Sequence, residues 1–347
     1  MPRERILDPQ ATSPEEQAQN YALRPQQFDQ YVGQPALVHK LQIAVEAARR
    51  RGEPVDHTLL HGPPGLGKTT LAHVIANEVG ARVHVTSGPA LTKGADLLGI
   101  LTRLERGDVL FIDEIHRLPA VVEEYLYPAM EDYKVDIPLD SGMHARAVTM
   151  SLQPFTLIGA TTRLGLLTGP MRGRFGISEH LDFYDTESLE KILFANASKL
   201  GLAAEPAALR ELAGRSRGTP RVANRLLRRA RDYAQVHGDG RLTAAIVRQS
   251  LELEGIDALG LDEQDRAFLR TVIDVYACGP VGIDAIAATL GEERDTLEDV
   301  VEPFLLQKAL LTRTRQGRRA TRAACAHLGL PYQSPGPDDP GLFSEAP

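Results

Sequence analysis

The sequence predicts an α/β domain with a parallel sheet flanked by helices, then a small all-helical domain and a C-terminal winged helix. Three observations predict it. From about residue 35 to 184, short β-branched runs alternate with longer helical patterns, the order of strands joined by crossover helices. After Asp185 the strand signal disappears and four helical segments follow. Beyond Gly255 three more helices lead into two short β-like runs around a basic turn.

Each element has a local reason. Val83 to Ser87, Val109 to Ile112 and Phe155 to Ala160 are continuous apolar runs flanked by Gly or acidic residues, and they read as buried parallel strands. Thr58 to His61 supplies another strand, and Leu181 to Tyr184 adds one more. Ser188 to Leu200, Pro206 to Ser216, Pro220 to His237 and Thr243 to Leu253 are helical patterns separated by Gly or polar breaks. The last set runs Leu261 to Tyr276, Ile283 to Leu290 and Glu293 to Leu306, broken at Gly279-Pro280 and Gly291. This places the domains at 21-184, 185-255 and 256-330. Segments 1-20 and 331-347 are polar and proline-rich, and are expected to be disordered.

Composition narrows the function. The 347 residues are 43% hydrophobic and 24% charged, with no apolar run long enough to span a bilayer and no signal-peptide core, so a cytoplasmic protein is expected. Cys278 and Cys325 lack metal-ligand spacing and are expected to be reduced thiols. A net charge of −7 excludes a protein that coats nucleic acid over its whole surface. Any such contact has to come from arginines gathered on one face.

The chemistry starts at Gly62-Pro-Pro-Gly65-Leu66-Gly67-Lys68-Thr69, which fits G-x-x-x-x-G-K-[ST] with a strand before it and a helix after it. Glycines let backbone N–H groups curl around phosphates, and the helix N-terminus adds a favourable dipole. Lys68 brings a cation to the β/γ oxygens, the Thr69 hydroxyl suits Mg2+, and Gly65, Gly67 and Thr70 complete the cradle. Further on, Val109-Leu-Phe-Ile112 ends in Asp113-Glu114. A carboxylate at the strand end suits the metal, and its neighbour can orient or deprotonate water. Together the two motifs predict ATP hydrolysis.

With these residues in place, the sequence resembles the AAA+ ATPases, and among them the RuvB family of bacterial Holliday-junction branch-migration motors. The resemblance covers about Leu23 to Leu330 and rests on LRPQQFDQYVGQ, HGPPGLGKTTLA, LFIDEIHR, FTLIGATTR, MRGRFGI and GTPRVANRLLRR. It implies that Leu23, Arg24 and Tyr184 line the adenine pocket, and that Glu131, Asp132 and Tyr133 also belong to nucleotide binding. Thr161, or else Thr162, would sense the γ-phosphate. Arg174 would be an arginine finger reaching a neighbouring subunit's ATP, with Arg172 second, and Arg221 would read the nucleotide from the other side.

The resemblance also implies partners: duplex DNA at four-way junctions, a RuvA-like junction-binding protein, room for a RuvC-like resolvase, and a homo-oligomeric ring, a hexamer. Residues 133-155 alternate around Asp140-Ser141-Gly142 as a β-hairpin, which the resemblance turns into the RuvA-docking element through Ile137, Leu139, Met143 and Val148. A plain extension of the sheet is the alternative.

The helix from Glu292 is acidic, which opposes sequence reading in a DNA groove. From Lys308 to Arg322 there are six basic residues and no acid, which suits phosphate contact irrespective of sequence. The resemblance points to Arg294, Arg313 and Arg318 as DNA contacts. The chain departs from the family's R-T-P-R-G-R wing by carrying Arg315 at the proline and Gln316 at the next arginine. A clamp-loader-type switch and an ATP-dependent DNA-binding regulator remain competing readings.

Overall fold

The structure is a computed structural model that describes residues 22–138 and 147–332. It divides into two compact units, one of 22–199 with 219–221, the other of 200–218 and 222–332.

In the first unit five parallel strands form one sheet: β1 (Thr58–His61), β2 (Val83–Ser87), β3 (Val109–Asp113), β6 (Thr156–Thr161) and β7 (Ile177–His180), in the order β2-β3-β6-β1-β7. The central strands β3 and β6 are buried along nearly their whole length, which is why VLFI and TLIGA carry no polar alternation. Strand β2 differs from the expected buried strand. It lies at the sheet edge, so Val85 is 57% exposed. The last strand also differs: it is Ile177–His180, and Leu181–Tyr184 is irregular. An edge strand has one neighbour and alternates half-buried with exposed residues, so it offers no apolar run. Leu181 and Tyr184 are apolar because the connector behind the edge is buried. The Leu181 N–H donates one more bond to the His61 carbonyl before the chain turns away.

The helix after β1, Lys68–Val79, buries Leu71, Ala72, Val74, Ile75 and Ala76. Gly80 ends it in the left-handed conformation, its N–H bonding the Ala76 and Asn77 carbonyls. Strands β4 (Lys134–Pro138) and β5 (Ala147–Ser151) pair antiparallel as a separate two-stranded sheet, with Val135 opposite Met150 and Ile137 opposite Val148. The hairpin is therefore not an extension of the parallel sheet. Leu139 and Met143 lie outside the described residues. At the root of this hairpin, buried His57 links two layers: its ring nitrogens bond the Met130 carbonyl and the Leu157 N–H. Burial lowers its pKa, so it serves as a neutral crosslink.

Helix Thr186–Lys199 groups with the sheet, and Pro206–Gly214, Pro220–His237 from Val222 onward, and Ala244–Leu253 with the second unit. The arginine-rich Pro220–His237 buries Arg225 and Arg228, while Arg229 and Arg231 lie near Glu254 and Asp232.

The rest of the second unit is a winged helix. Helix Glu263–Arg270 starts in a reciprocal cap between Asp262 and Asp265 and widens into a π-helical turn, Thr271–Val275. Helix Ile283–Leu290 follows, then Arg294–Thr296, a π-helical turn Leu297–Val301, and Glu302–Gln307. Strands β8 (Leu311–Thr314) and β9 (Gly317–Ala320) form the wing, and helix Arg322–Leu328 closes the domain under a Thr321 cap. Phe268, Ile286, Val301, Leu305 and Leu311 fill its core. Cys278 and Cys325 are buried free thiols there, 3.8 Å apart, and burial pushes Cys325 up to about 11. Among the described residues no helix is long and apolar enough to cross a membrane.

Candidate active site and basic wing

Parallel strands place their C-terminal ends along one edge of the sheet, and the chemistry gathers there. The loop after β1 turns through Gly62, Gly65 and Gly67 at φ of 138°, 80° and 98°, a region that excludes ordinary side chains. A Cβ on Gly62 would also stand 2.5 Å from the Leu181 carbonyl oxygen. The loop enters helix Lys68–Val79 with Gly67 at the N-cap, so Thr69 and Thr70 occupy its first turn. Lys68 is buried and its Nζ donates to the Gly62 and Pro63 carbonyls at 2.8 and 2.9 Å. Burial lowers its pKa to about 8 against the opposing pull of Asp113 and Glu114, with Arg221 adding to the lowering. An ammonium held this way is primed to gain from an anion.

Two strands over, beyond β6, β3 ends at Asp113 and the chain turns at once through Glu114, a non-glycine at φ 47°. That turn brings the Glu114 carboxylate to the end of β6. It accepts the Thr162 hydroxyl at 3.1 Å and lies 3.2 Å from His116 Nδ1. The same nitrogen is 2.9 Å from the hydroxyl of Thr161, which accepts the Arg163 N–H at 3.0 Å. Both threonines therefore enter the network: Thr162 touches the carboxylate directly and fully buried Thr161 touches it through His116. Sequence reasoning gave His116 no role. Its signal lies two places after Glu114 in DEIH, and only the left-handed turn makes it meaningful.

Around the loop, Tyr184 is buried with its hydroxyl 3.0 Å from that of Tyr31 and 3.3 Å from the Leu66 carbonyl. Burial raises the pKa of both phenols, Tyr31 to about 12. Gly33, at φ 86°, passes against the Tyr184 ring where a Cβ would collide. Leu23 is buried and its carbonyl accepts from Lys199 at 3.0 Å. Arg24 is half-buried and contributes to the lowered pKa of His73, second to burial. The Arg221 N–H donates to the Gly65 carbonyl at 3.4 Å.

Arg174, Glu131 and Tyr127 form a second group. The Arg174 guanidinium lies 4.1 Å over the Tyr127 ring and 3.2 Å from Glu131, and it donates to the Pro170 carbonyl at 2.9 Å. Its Nε is buried with no hydrogen-bond partner among the described residues. Leaving that donor unmade costs on the order of 1–3 kcal/mol, so this resting place holds the guanidinium loosely. Glu123, 7% exposed, takes hydroxyl bonds from Tyr127 and Thr168, and Thr168 caps the short helix that ends at Arg174. Glu131 thus borders Arg174, Asp132 is exposed at the C-cap of the same helix, and Tyr133 packs on His57 and Phe155 beside the N-terminal end of β1, opposite the phosphate loop. The structure does not bring these three to this chain's own loop. Arg172 is exposed.

The wing holds the other candidates. Arg318 has a 12% exposed side chain whose guanidinium is engaged by Glu298 and Glu302. Arg313 also pairs with Glu302, at 2.8 Å, and remains 55% exposed. Arg294, equally exposed, reaches Glu298 and Asp284 at 3.4 Å. Ile137 is half-buried and Val148 is 48% exposed on the hairpin.

Comparison with known proteins follows the same three-part order. Residues 23–181 match the model of the Holliday junction DNA helicase RuvB P-loop domain, 184–257 the RuvB AAA lid domain, and 258–329 the RuvB C-terminal winged helix domain. The chain belongs to the RuvB family. A relative named Holliday junction branch migration complex subunit RuvB, from Myxococcus xanthus, is 58% identical over 308 residues, covering 89% of this chain and 90% of its own. One of the same name from Desulfosudis oleivorans is 56% identical over 313 residues, with 90% and 91% covered. A solved structure described as the Thermotoga maritima RuvB Holliday junction branch migration motor aligns at TM-score 0.81 and 51% identity, over 89% of this chain and 99% of that one. A single-substitution mutant of the Thermotoga protein aligns at 0.83 and 52% identity, with the same two shares covered.

As a RuvB-family chain the protein is a P-loop ATPase and binds nucleotide. The residues present also suit Mg2+. Thr69 and Asp113 offer two oxygen ligands beside a phosphate cradle, the sparse protein contribution this ion takes when phosphates and water supply the rest. No group of three or more His, Cys, Asp or Glu among the described residues could hold a metal by itself.

The lowered Lys68 pKa gives a testable sign. With its pKa lowered to about 8, Lys68 becomes increasingly neutral in the free protein as pH rises through that region, and binding an anion favours the charged form. Nucleotide binding is therefore expected to take up protons, increasingly from pH 7 to 9, read as calorimetric heats that differ between buffers of unequal ionisation enthalpy. Buffer-independent heats across that range would exclude a neutral fraction.

Proposed function

We propose that this protein is the ATP-driven motor of Holliday-junction branch migration in recombination and repair, acting in the cytoplasm on duplex DNA. It works as a homo-oligomeric ring, a hexamer, with a RuvA-like partner at the junction. The observation that carries this reading is the union, in one RuvB-family chain, of the Lys68–Asp113–Glu114 edge with a winged helix that offers a basic turn.

In this reading Lys68 leaves the two loop carbonyls for the β/γ oxygens of ATP. Thr69 and Asp113 would hold Mg2+, which would neutralise phosphate charge. Leu23, Arg24 and Tyr184 enclose the base. Glu114, oriented by Thr162 and His116, takes the proton of the attacking water. Arg174 swings off Tyr127 and Glu131 to the phosphates bound by a neighbouring subunit, and Glu131, Asp132 and Tyr133 serve nucleotide binding in trans from where they stand. Arg221, anchored by its backbone to Gly65, reports the nucleotide state to the helix it opens. Ile137 and Val148 form part of the partner-docking hairpin, where exposed Val148 gains most from being covered.

The test is ATP-driven movement of a synthetic four-way junction, with and without a RuvA-type protein. Movement that requires both ATP and the partner supports the reading. DNA-stimulated ATPase activity with a static junction would overturn it in favour of a clamp-loader-type switch.

A further inference from the structure

The wing places two like charges face to face. In the β8–β9 register Arg313 stands directly opposite Arg318, an arrangement that by itself destabilises a hairpin. A single carboxylate resolves it. Glu302 is completely buried, and its oxygens accept from Nε and Nη2 of both arginines at 2.8 to 3.0 Å. Arg318 also donates to Glu298, and Glu298 pairs with Arg294, which reaches Asp284. The result is an alternating ladder, Asp284, Arg294, Glu298, Arg318, Glu302 and Arg313, with three charges of each sign. Its total is zero. The three arginines that stand out for DNA in the sequence are thus the cationic members of a neutral network.

Beyond the ladder the hairpin turns through Arg315 and Gln316. The Thr314 hydroxyl donates to the Gly317 carbonyl and accepts the Gln316 N–H. Gly317, at φ 141°, passes against the Val281 backbone, to which β9 is bridged through Arg318. The turn is therefore fixed at its base, and Arg315 is exposed at its tip. No carboxylate occurs between Lys308 and Arg322 to neutralise it from within the wing.

We propose that Arg315, at the tip of the turn, is a contact of the wing with the DNA phosphate backbone, and that Glu302 is its positioning residue. The proposal rests on the DNA-motor reading above. Glu302 acts by clamping β8 to β9 against the Arg313–Arg318 repulsion, which sets where the turn projects. A turn-tip arginine reads phosphate charge and no base sequence, as a motor moving along arbitrary DNA needs.

The experiment measures equilibrium binding of the full chain to two duplexes of unrelated sequence across a salt series. Arg315→Gln is expected to weaken both duplexes alike and make the slope of log K against log salt shallower by about one unit. A wild-type slope in R315Q overturns the proposal. Glu302→Gln separates positioning from charge by sign. Removing a carboxylate makes the ladder net positive, so simple attraction would tighten binding. Positioning predicts weaker binding and a shallower slope, and tighter binding would overturn that role. Should E302Q fail to fold, R315Q alone decides the phosphate contact. Wild-type protein that binds neither duplex would instead count against the motor reading itself.

Discussion

Glu114→Gln is expected to keep ATP bound while turnover falls by about 10²–10⁴-fold, the usual worth of a positioned general base. The two side chains have the same shape, so the Thr162 hydroxyl keeps an acceptor and the left-handed turn is undisturbed. What disappears is a group that can receive a proton from water. Binding survives because it depends on the loop backbone, on Lys68 and on the helix N-terminus, none of which Glu114 builds. One charge effect is predictable in direction: Glu114 helps hold the Lys68 proton, so the variant should lower the Lys68 pKa further. Fluorescent-nucleotide titration and phosphate release measure the two halves separately. Normal turnover would remove Glu114 from the mechanism, and lost binding would make it a structural residue. The same variant should also leave a four-way junction static.

Arg174→Ala is expected to lower turnover by about 10³–10⁵-fold with nucleotide affinity in each subunit little changed, the range for an arginine supplied across an interface. The fold should tolerate it. Glu131 is 57% exposed and rehydrates when its partner goes, the Arg174–Glu131 pair is partly solvated and worth little, and the deleted Nε leaves no acceptor stranded. The decisive measurement mixes Arg174→Ala with Lys68→Ala chains. A Lys68→Ala subunit can lend its finger to an Arg174→Ala neighbour with an intact loop, so mixed assemblies should regain part of the activity that each variant lacks alone. Mixtures no more active than the separate variants would show that Arg174 acts within its own chain, or not at all.

The sequence made much of the phosphate-loop edge legible, and the reason is local. Gly62 to Thr69 is one strand–turn–helix unit whose glycines are required by backbone conformation, so residue type and spacing nearly determine the geometry. Asp113 and Glu114 follow from an apolar strand ending in carboxylates. His116 and the Tyr31–Tyr184 contact were not legible, because each joins positions at least 45 residues apart. The edge strand Ile177–His180 was hidden for another reason: a strand with one neighbour needs no apolar run, while the buried connector after it has one.

By itself, then, the sequence determined the order of domains, the phosphate-binding chemistry and the family, all carried by short contiguous motifs whose backbone demands leave little choice. Tertiary structure decided which charges remain to act. Read along the chain, the acidic helix repels DNA and the basic wing attracts it. Folded, Glu298 and Glu302 reach residues 11 to 20 positions away and neutralise Arg313 and Arg318. Arg174 likewise comes to rest on Tyr127 and Glu131, two helical positions far from it in sequence. The physical reason is common to both cases. Ion pairs between separate elements depend on hairpin register and helix phase, which are set by packing of the whole core and not by neighbouring residues.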